Sequence, residues 1–120
     1  MSLPQLLEQV IEIKGISSSA VVSSSGELLE GAPHGGADLG VIDELITSGL
    51  ASSRVLAELL GDGEVGQTMI EYENGPVLIM PLGSEDDPVM VARLSSTSDL
   101  GRARFQLRKF VSDIAAMVNE

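Results

Sequence analysis

Cysteine and tryptophan are absent from this chain, and it carries only one histidine, one tyrosine and two phenylalanines. Without cysteine there is no disulfide, no thiol nucleophile and no thiolate metal ligand; one histidine alone leaves too few ligands for zinc. Aromatics make up 2% of the residues while hydrophobic types make up 43%, so the core must be built from Leu, Ile, Val, Ala and Met. Basic residues are also scarce. Residues 1–92 hold two basic and fifteen acidic side chains, a balance of −13, whereas residues 93–120 hold five and three, a balance of +2. A body this acidic repels phosphate backbones and anionic lipid surfaces, so neither nucleic acid nor membrane is an expected partner. No apolar run reaches the roughly 18 residues that a membrane-spanning helix needs. The opening MSLPQLLEQ does not read as a signal peptide, and a cytoplasmic location is expected. Mean hydropathy is nevertheless +0.23. For so acidic a chain, that surplus points to an apolar subunit interface.

The stretch that organises the chain is Gln67–Pro81, QTMIEYENGPVLIMP. Ile70 and Tyr72 alternate with Met69, Glu71 and Glu73, as a half-buried strand requires. Val77-Leu78-Ile79-Met80 is continuously apolar and suits a strand covered on both faces. Between them Asn74-Gly75 is the pair that best supplies a type I′ hairpin turn. Pro76 lacks a ladder donor and belongs at the start of its strand. The acidic first arm, Thr68–Glu73, reads as a sheet edge and the second as interior.

Around this hairpin the chain reads in order. Ser2 and Gln5 have capping-box spacing, Pro4 fits a first turn, and Leu3, Leu6, Leu7 and Val10 recur at helical spacing, predicting helix one over Leu3–Ile13 with Gly15 as its stop. Ser18–Ser23 and Glu27–Glu30 form a hairpin about Ser24-Ser25-Gly26, followed by the loop GAPHGGA at Gly31–Ala37. Helix two runs from a cap at Asp38 to Leu60. Its apolar and small residues fall in two bands: Ile42, Leu45, Ile46, Gly49, Ser53, Leu56 and Leu60 in one, and Val41, Ser48, Ser52, Val55 and Leu59 in the other. Two bands exceed what one sheet face covers, so one is assigned to the sheet and the other to a second subunit. Asp43, Glu44, Thr47, Ala51, Arg54 and Glu58 fill the remaining arc. Gly83–Pro88 is a turn, Val89–Leu94 a strand, and Asp99 caps helix three. That helix keeps Leu100, Ala103, Leu107, Phe110, Val111, Ile114 and Val118 on one stripe, with Phe105 off it. The order α-β-β-α-β-β-β-α predicts an α+β fold over residues 1–120: a five-stranded antiparallel sheet with helices on both faces.

No catalytic constellation emerges, and the chain is not expected to be an enzyme or to need a cofactor. Gly61-Asp62-Gly63-Glu64-Val65-Gly66 spells GxGxxG, but a helix precedes it and a strand follows, the reverse of a dinucleotide fingerprint, and its acids repel phosphate. The serines at 17–19 and 23–25 have no nucleophile elbow and no base beyond His34 in a glycine-rich loop. Glu85-Asp86-Asp87 lacks calcium-loop spacing. Arg102, Arg104, Arg108 and Lys109 on helix three are suited to carboxylates of this chain or of a protein partner.

Several features occur together: a first helix ending at Gly15-Ile16, the Ser24-Ser25-Gly26 turn, a long second helix, Asn74-Gly75 running into Val77–Leu82, and Asp99-Leu100-Gly101 with Arg104. In that order and spacing the chain resembles the Roadblock/dynein-light-chain domain family over nearly its whole length. The resemblance implies helix two on one sheet face and helices one and three on the other. It also implies a homodimer formed by paired second helices and by strand three edge to edge. On this chain the self-interface would take Val41, Ser48, Ser52, Val55, Leu59, Thr68, Met69, Ile70, Glu71 and Tyr72. Stand-alone prokaryotic members regulate small Ras-like GTPases, some as activators, and other members are scaffold subunits. Partner docking is associated with the paired helices, here Glu44, Thr47, Ala51, Arg54 and Glu58. A structural adaptor and a small-ligand sensor are the competing expectations, the latter requiring an internal cavity.

Overall fold

A computed structural model describes residues 1–33, 43–61, 63–73, 75–84 and 86–119. His34, the Asp38 cap, Val41, Ile42, Asp62, Asn74 and Glu85 lie outside the described residues. So do the side chains of Asp43, Glu44, Leu45, Ile46 and Thr47 on the helix that begins there.

The elements are α1 (Leu3–Val10), β1 (Ile16–Val22), β2 (Leu28–Ala32), α2 (Asp43–Leu60), β3 (Thr68–Tyr72), β4 (Gly75–Pro81), β5 (Val89–Leu94) and α3 (Leu100–Val118). All strand pairs are antiparallel and the sheet order is β2-β1-β5-β4-β3. The fold is α+β as expected, and β3 is an outer strand while β4 is interior. Strand alternation divides the core in two. Val21, Leu78, Met80, Met90 and Ala92 meet Leu6, Leu7, Val10, Leu107 and Ile114 from α1 and α3. On the other face Ala20, Val22, Val77, Ile79, Val89 and Val91 meet α2, which supplies Leu50.

The local chemistry at the start of α1 is as read. The Ser2 N–H donates to Gln5 Oε1 at 2.8 Å and the Gln5 N–H to Ser2 Oγ at 3.4 Å, closing the capping box. The helix is one turn shorter than expected. It ends at Val10, and Ile13 is still buried through the turn that follows. Ser19 ties this helix to the sheet by donating to the Leu7 carbonyl at 3.3 Å. The first hairpin is shifted: β1 begins earlier, at Ile16, and β2 extends two residues further, to Ala32.

The central hairpin departs from the reading by one residue. Tyr72 pairs with Gly75, so Gly75 is the first residue of β4 and not a turn residue, while Asn74 lies outside the described residues. With Gly75 in the strand, the reading of Asn74-Gly75 as the two central residues of a type I′ turn does not hold. Gly75 is a strand residue instead, at φ +134, and a Cβ there would overlap the Leu94 carbonyl oxygen. Its glycine is required by close approach of β5, not by the turn.

Two further expectations need correction. Asp99 stands at the start of α3 without a side-chain capping bond. It packs instead against Gly15, whose φ is +96 and where a Cβ would come within 2.8 Å of the Asp99 Cβ. The side of α2 that meets the sheet is also rotated from the first band. Leu50 is 1% exposed and Ala57 half-buried, whereas Leu56 and Leu60 are 57% and 63% exposed. Gly49 and Ser53 of that band do face the sheet. α3 buries Ala103, Leu107 and Ile114 and leaves Phe105 outside, as its stripe requires.

Candidate protein–protein interface

α2 approaches β3 where its sheet-facing residues, Gly49 and Ser53, are small. A Cβ on Gly49 would be 3.8 Å from Ile79 Cδ1 and 3.9 Å from Ile70 Cδ1, which is ordinary contact. Ser53 donates back to the Gly49 carbonyl at 3.0 Å and accepts from the Thr68 hydroxyl at 2.9 Å. Edge strand and helix are therefore joined directly.

The outward side of this unit is apolar. Ser48, Ser52, Val55 and Leu59 are exposed along one strip of α2, with Leu59 79% and Val55 56% accessible. Leu56 flanks the strip. The two serines spaced four apart keep one end of the strip low, and the branched side chains fill the other. Burying each of the exposed Val and Leu side chains stabilises by about 1.5–3 kcal/mol. On β3, Met69, Glu71 and Tyr72 are exposed and Thr68 and Ile70 half-buried. The register with β4 divides them: Thr68, Ile70 and Tyr72 share the α2 face with Val77 and Ile79, while Met69 and Glu71 share the α3 face with Leu78.

Pro76 identifies which β3 amides are free. It opposes Glu71 and has no N–H, so that pair cannot exchange ladder hydrogen bonds. By alternation the exchanging pairs are Tyr72–Gly75, Ile70–Val77 and Thr68–Ile79. The Met69 and Glu71 amides then point away from β4, along the open edge.

The docking residues divide as follows. Ala51 and Glu58 are exposed and Arg54 is half-buried. All three line a groove of about 430 Å³ between α2 and the sheet's end, with Asp86 from the β4–β5 turn. Arg54 and Glu58 also border a neighbouring cleft of about 680 Å³ beside Val65 and Pro81. Both are open surface features. The β4–β5 turn is held by Asp87, which accepts from the Ser84 amide at 2.7 Å.

One feature escaped the sequence reading. A recess of about 470 Å³ opens between α3 and the start of β3, lined by Gly66, Gln67, Met80, Arg104, Arg108 and Val111. Arg104 Nε and Gln67 Oε1 are buried there without a hydrogen-bond partner. Among the described residues, no ion pair with a carboxylate engages Arg102, Arg104, Arg108 or Lys109. Lys109 instead lies 5.2 Å from the centre of the Phe105 ring. The i, i+4 spacing of Arg104 and Arg108 placed both on one face; what they face depends on how α3 crosses the sheet.

Comparison with known proteins agrees with this architecture. The Roadblock/LC7 domain model matches residues 4–86. Two uncharacterised proteins of Methanocaldococcus jannaschii are each 24% identical over 115 residues, covering 96% of this chain and 98% of theirs. A Roadblock/LC7 domain from Streptomyces avermitilis superposes with a TM-score of 0.86 at 14% identity, covering both chains completely. The gliding protein MglB of Thermus thermophilus superposes with a TM-score of 0.84 at 17% identity, covering 98% of this chain and 88% of that one. The shared architecture is α1 and α3 on one face, α2 on the other and β3 at the edge. With the family model spanning well over half its residues, the chain belongs to the Roadblock/LC7 domain family.

Proposed function

We propose that the protein is a homodimeric binding partner of a small Ras-like GTPase. The observation that carries the dimer is the continuity of two unpartnered surfaces, the α2 strip of Val55 and Leu59 and the β3 edge, joined by the Thr68–Ser53 bond. A two-fold axis beside β3 lets both be covered by one event: the edges pair and the two α2 helices meet above them. Support for self-assembly also comes from a solved MglB relative described as having a tetrameric arrangement.

The GTPase follows from the family resemblance and from the surface the dimer leaves open. Ala51, Arg54 and Glu58 flank the strip on the same helix, so the paired helices present this face twice. Arg54 and Glu58, with Asp86 beside them, give this platform charges of both signs and so a pattern that a partner surface can complement. The protein acts by holding the GTPase's own switch segments, without contributing a reacting group. This is a binding role, with no catalysis by the chain itself. Calorimetric titration with a small Ras-like GTPase, followed by single-turnover GTP hydrolysis, tests it. Saturable binding by the dimer supports the reading. Absence of binding in both nucleotide states returns the protein to a structural adaptor.

A further inference from the structure

We infer that the Arg104–Arg108 recess is one half of a charged site completed by Glu71 of the partner subunit. This rests on the edge-to-edge dimer of the preceding section and goes beyond it by naming what joins the two copies on the face away from α2.

The argument begins with the backbone. Met69 and Glu71 have their amides on the open edge, so a second β3 must place its own odd-numbered residues against them. An antiparallel pairing of two identical strands satisfies this when centred on Ile70, which pairs the full length of Thr68–Tyr72. It is also satisfied one step along, centred on Met69. In the first register Glu71 of the partner subunit lies opposite Met69 and diagonal to Gln67, at about 7–8 Å between backbones. In the second it lies directly opposite Gln67. Either way it points to the α3 face, since side-chain parity is preserved across the axis.

That is the face on which the recess opens. Gln67 and Met80 line it from the sheet side and Arg104 and Arg108 from α3. Arg104 Nε is buried and has no partner, which in an isolated chain leaves a cation's donor unsatisfied. Glu71 is exposed and acidic on an edge that already carries Glu73. Two such edges would repel each other without a counter-charge. The arginines supply it twice, once on each side of the axis. Arginine side chains are long enough to reach toward a neighbouring strand, and α3 carries four of the seven basic residues of an otherwise acidic chain, so a partner's carboxylate is attracted there.

The test is charge exchange read by sedimentation at several concentrations, with the native protein measured first. Glu71 and Arg108 are both exposed, so Glu71→Arg and Arg108→Glu should fold normally by circular dichroism. Each is expected to weaken the dimer roughly tenfold or more. The double variant E71R/R108E restores opposite charges and is expected to return to within about threefold of the native protein. Native dimers left unchanged by either single substitution, or losses that simply add in the double variant, overturn the site while leaving the dimer standing. A native protein that sediments as a monomer overturns the dimer itself, and the site with it.

Discussion

The Thr68 hydroxyl donates to the Ser53 hydroxyl across 2.9 Å, and through Ser53 to the Gly49 carbonyl, so the outermost strand is tied to the helix above it. This bond links the strand edge to the helix that carries the exposed strip. Ser53→Ala leaves Thr68 without its acceptor. The expected cost is about 1 kcal/mol in urea unfolding. A larger fractional loss of self-association is expected, because the strand is freed from the helix it must align with. Unchanged stability and assembly would mean that the two elements are held by packing alone.

Leu50 and Leu59 test the assigned faces of α2. Leu50 is the helix's fully buried contribution to the core among the described residues, and Leu50→Ala should destabilise the protein by about 2–5 kcal/mol. Leu59→Ser removes a side chain that is 79% exposed, so its expected effect on the isolated chain is within about 0.5 kcal/mol. Self-association should nevertheless weaken. Denaturation at low and high protein concentration separates the two effects.

Gly75→Ala carries the sharpest local prediction. The residue combines φ +134 with the approach of the Leu94 carbonyl, so strain and overlap add. A loss of about 3 kcal/mol or more is expected in thermal or chemical unfolding. A near-neutral substitution would mean that β4 and β5 can separate there without disturbing the sheet.

These positions also show what the sequence could reveal. The edge and interior characters of β3 and β4 were legible, because alternation and Pro76 constrain a strand whatever surrounds it. The turn was not: Asn74-Gly75 satisfies a local rule, but Gly75 answers to Leu94, nearly twenty residues away. Helix two was legible in extent at its Leu60 end and in having two apolar sides. Its inward direction was misread, since Leu56 and Leu60 share a wheel sector with Gly49 and Ser53. The sheet selects the sector where small residues allow contact and Leu50 fills the gap. The exposed strip of Ser48, Ser52, Val55 and Leu59 was legible from spacing, while the Arg104–Gln67 recess depends on a helix crossing that no local pattern encodes.

Ala51→Arg addresses the docking face. Ala51 is exposed beside Arg54 and Glu58, and arginine's helix propensity differs from alanine's by only a few tenths of a kcal/mol. Folding and dimerisation should survive. GTPase binding should fall by roughly thirtyfold or more, the scale of a disrupted interface centre. Calorimetric titration beside sedimentation checks it: retained binding by an intact dimer moves the docking surface off α2, and loss of the dimer places Ala51 between subunits.

Sedimentation of the native protein beside Met69→Pro is the most direct measurement. Proline at Met69 removes an amide that points along the open edge and spares the ladder to β4, so the fold should persist. The expected result is a native species of twice the 12.6 kDa chain mass at micromolar concentration and a folded Met69→Pro variant shifted strongly to monomer. A native protein that remains monomeric, or a proline variant that dimerises as well as its parent, would contradict pairing through this edge.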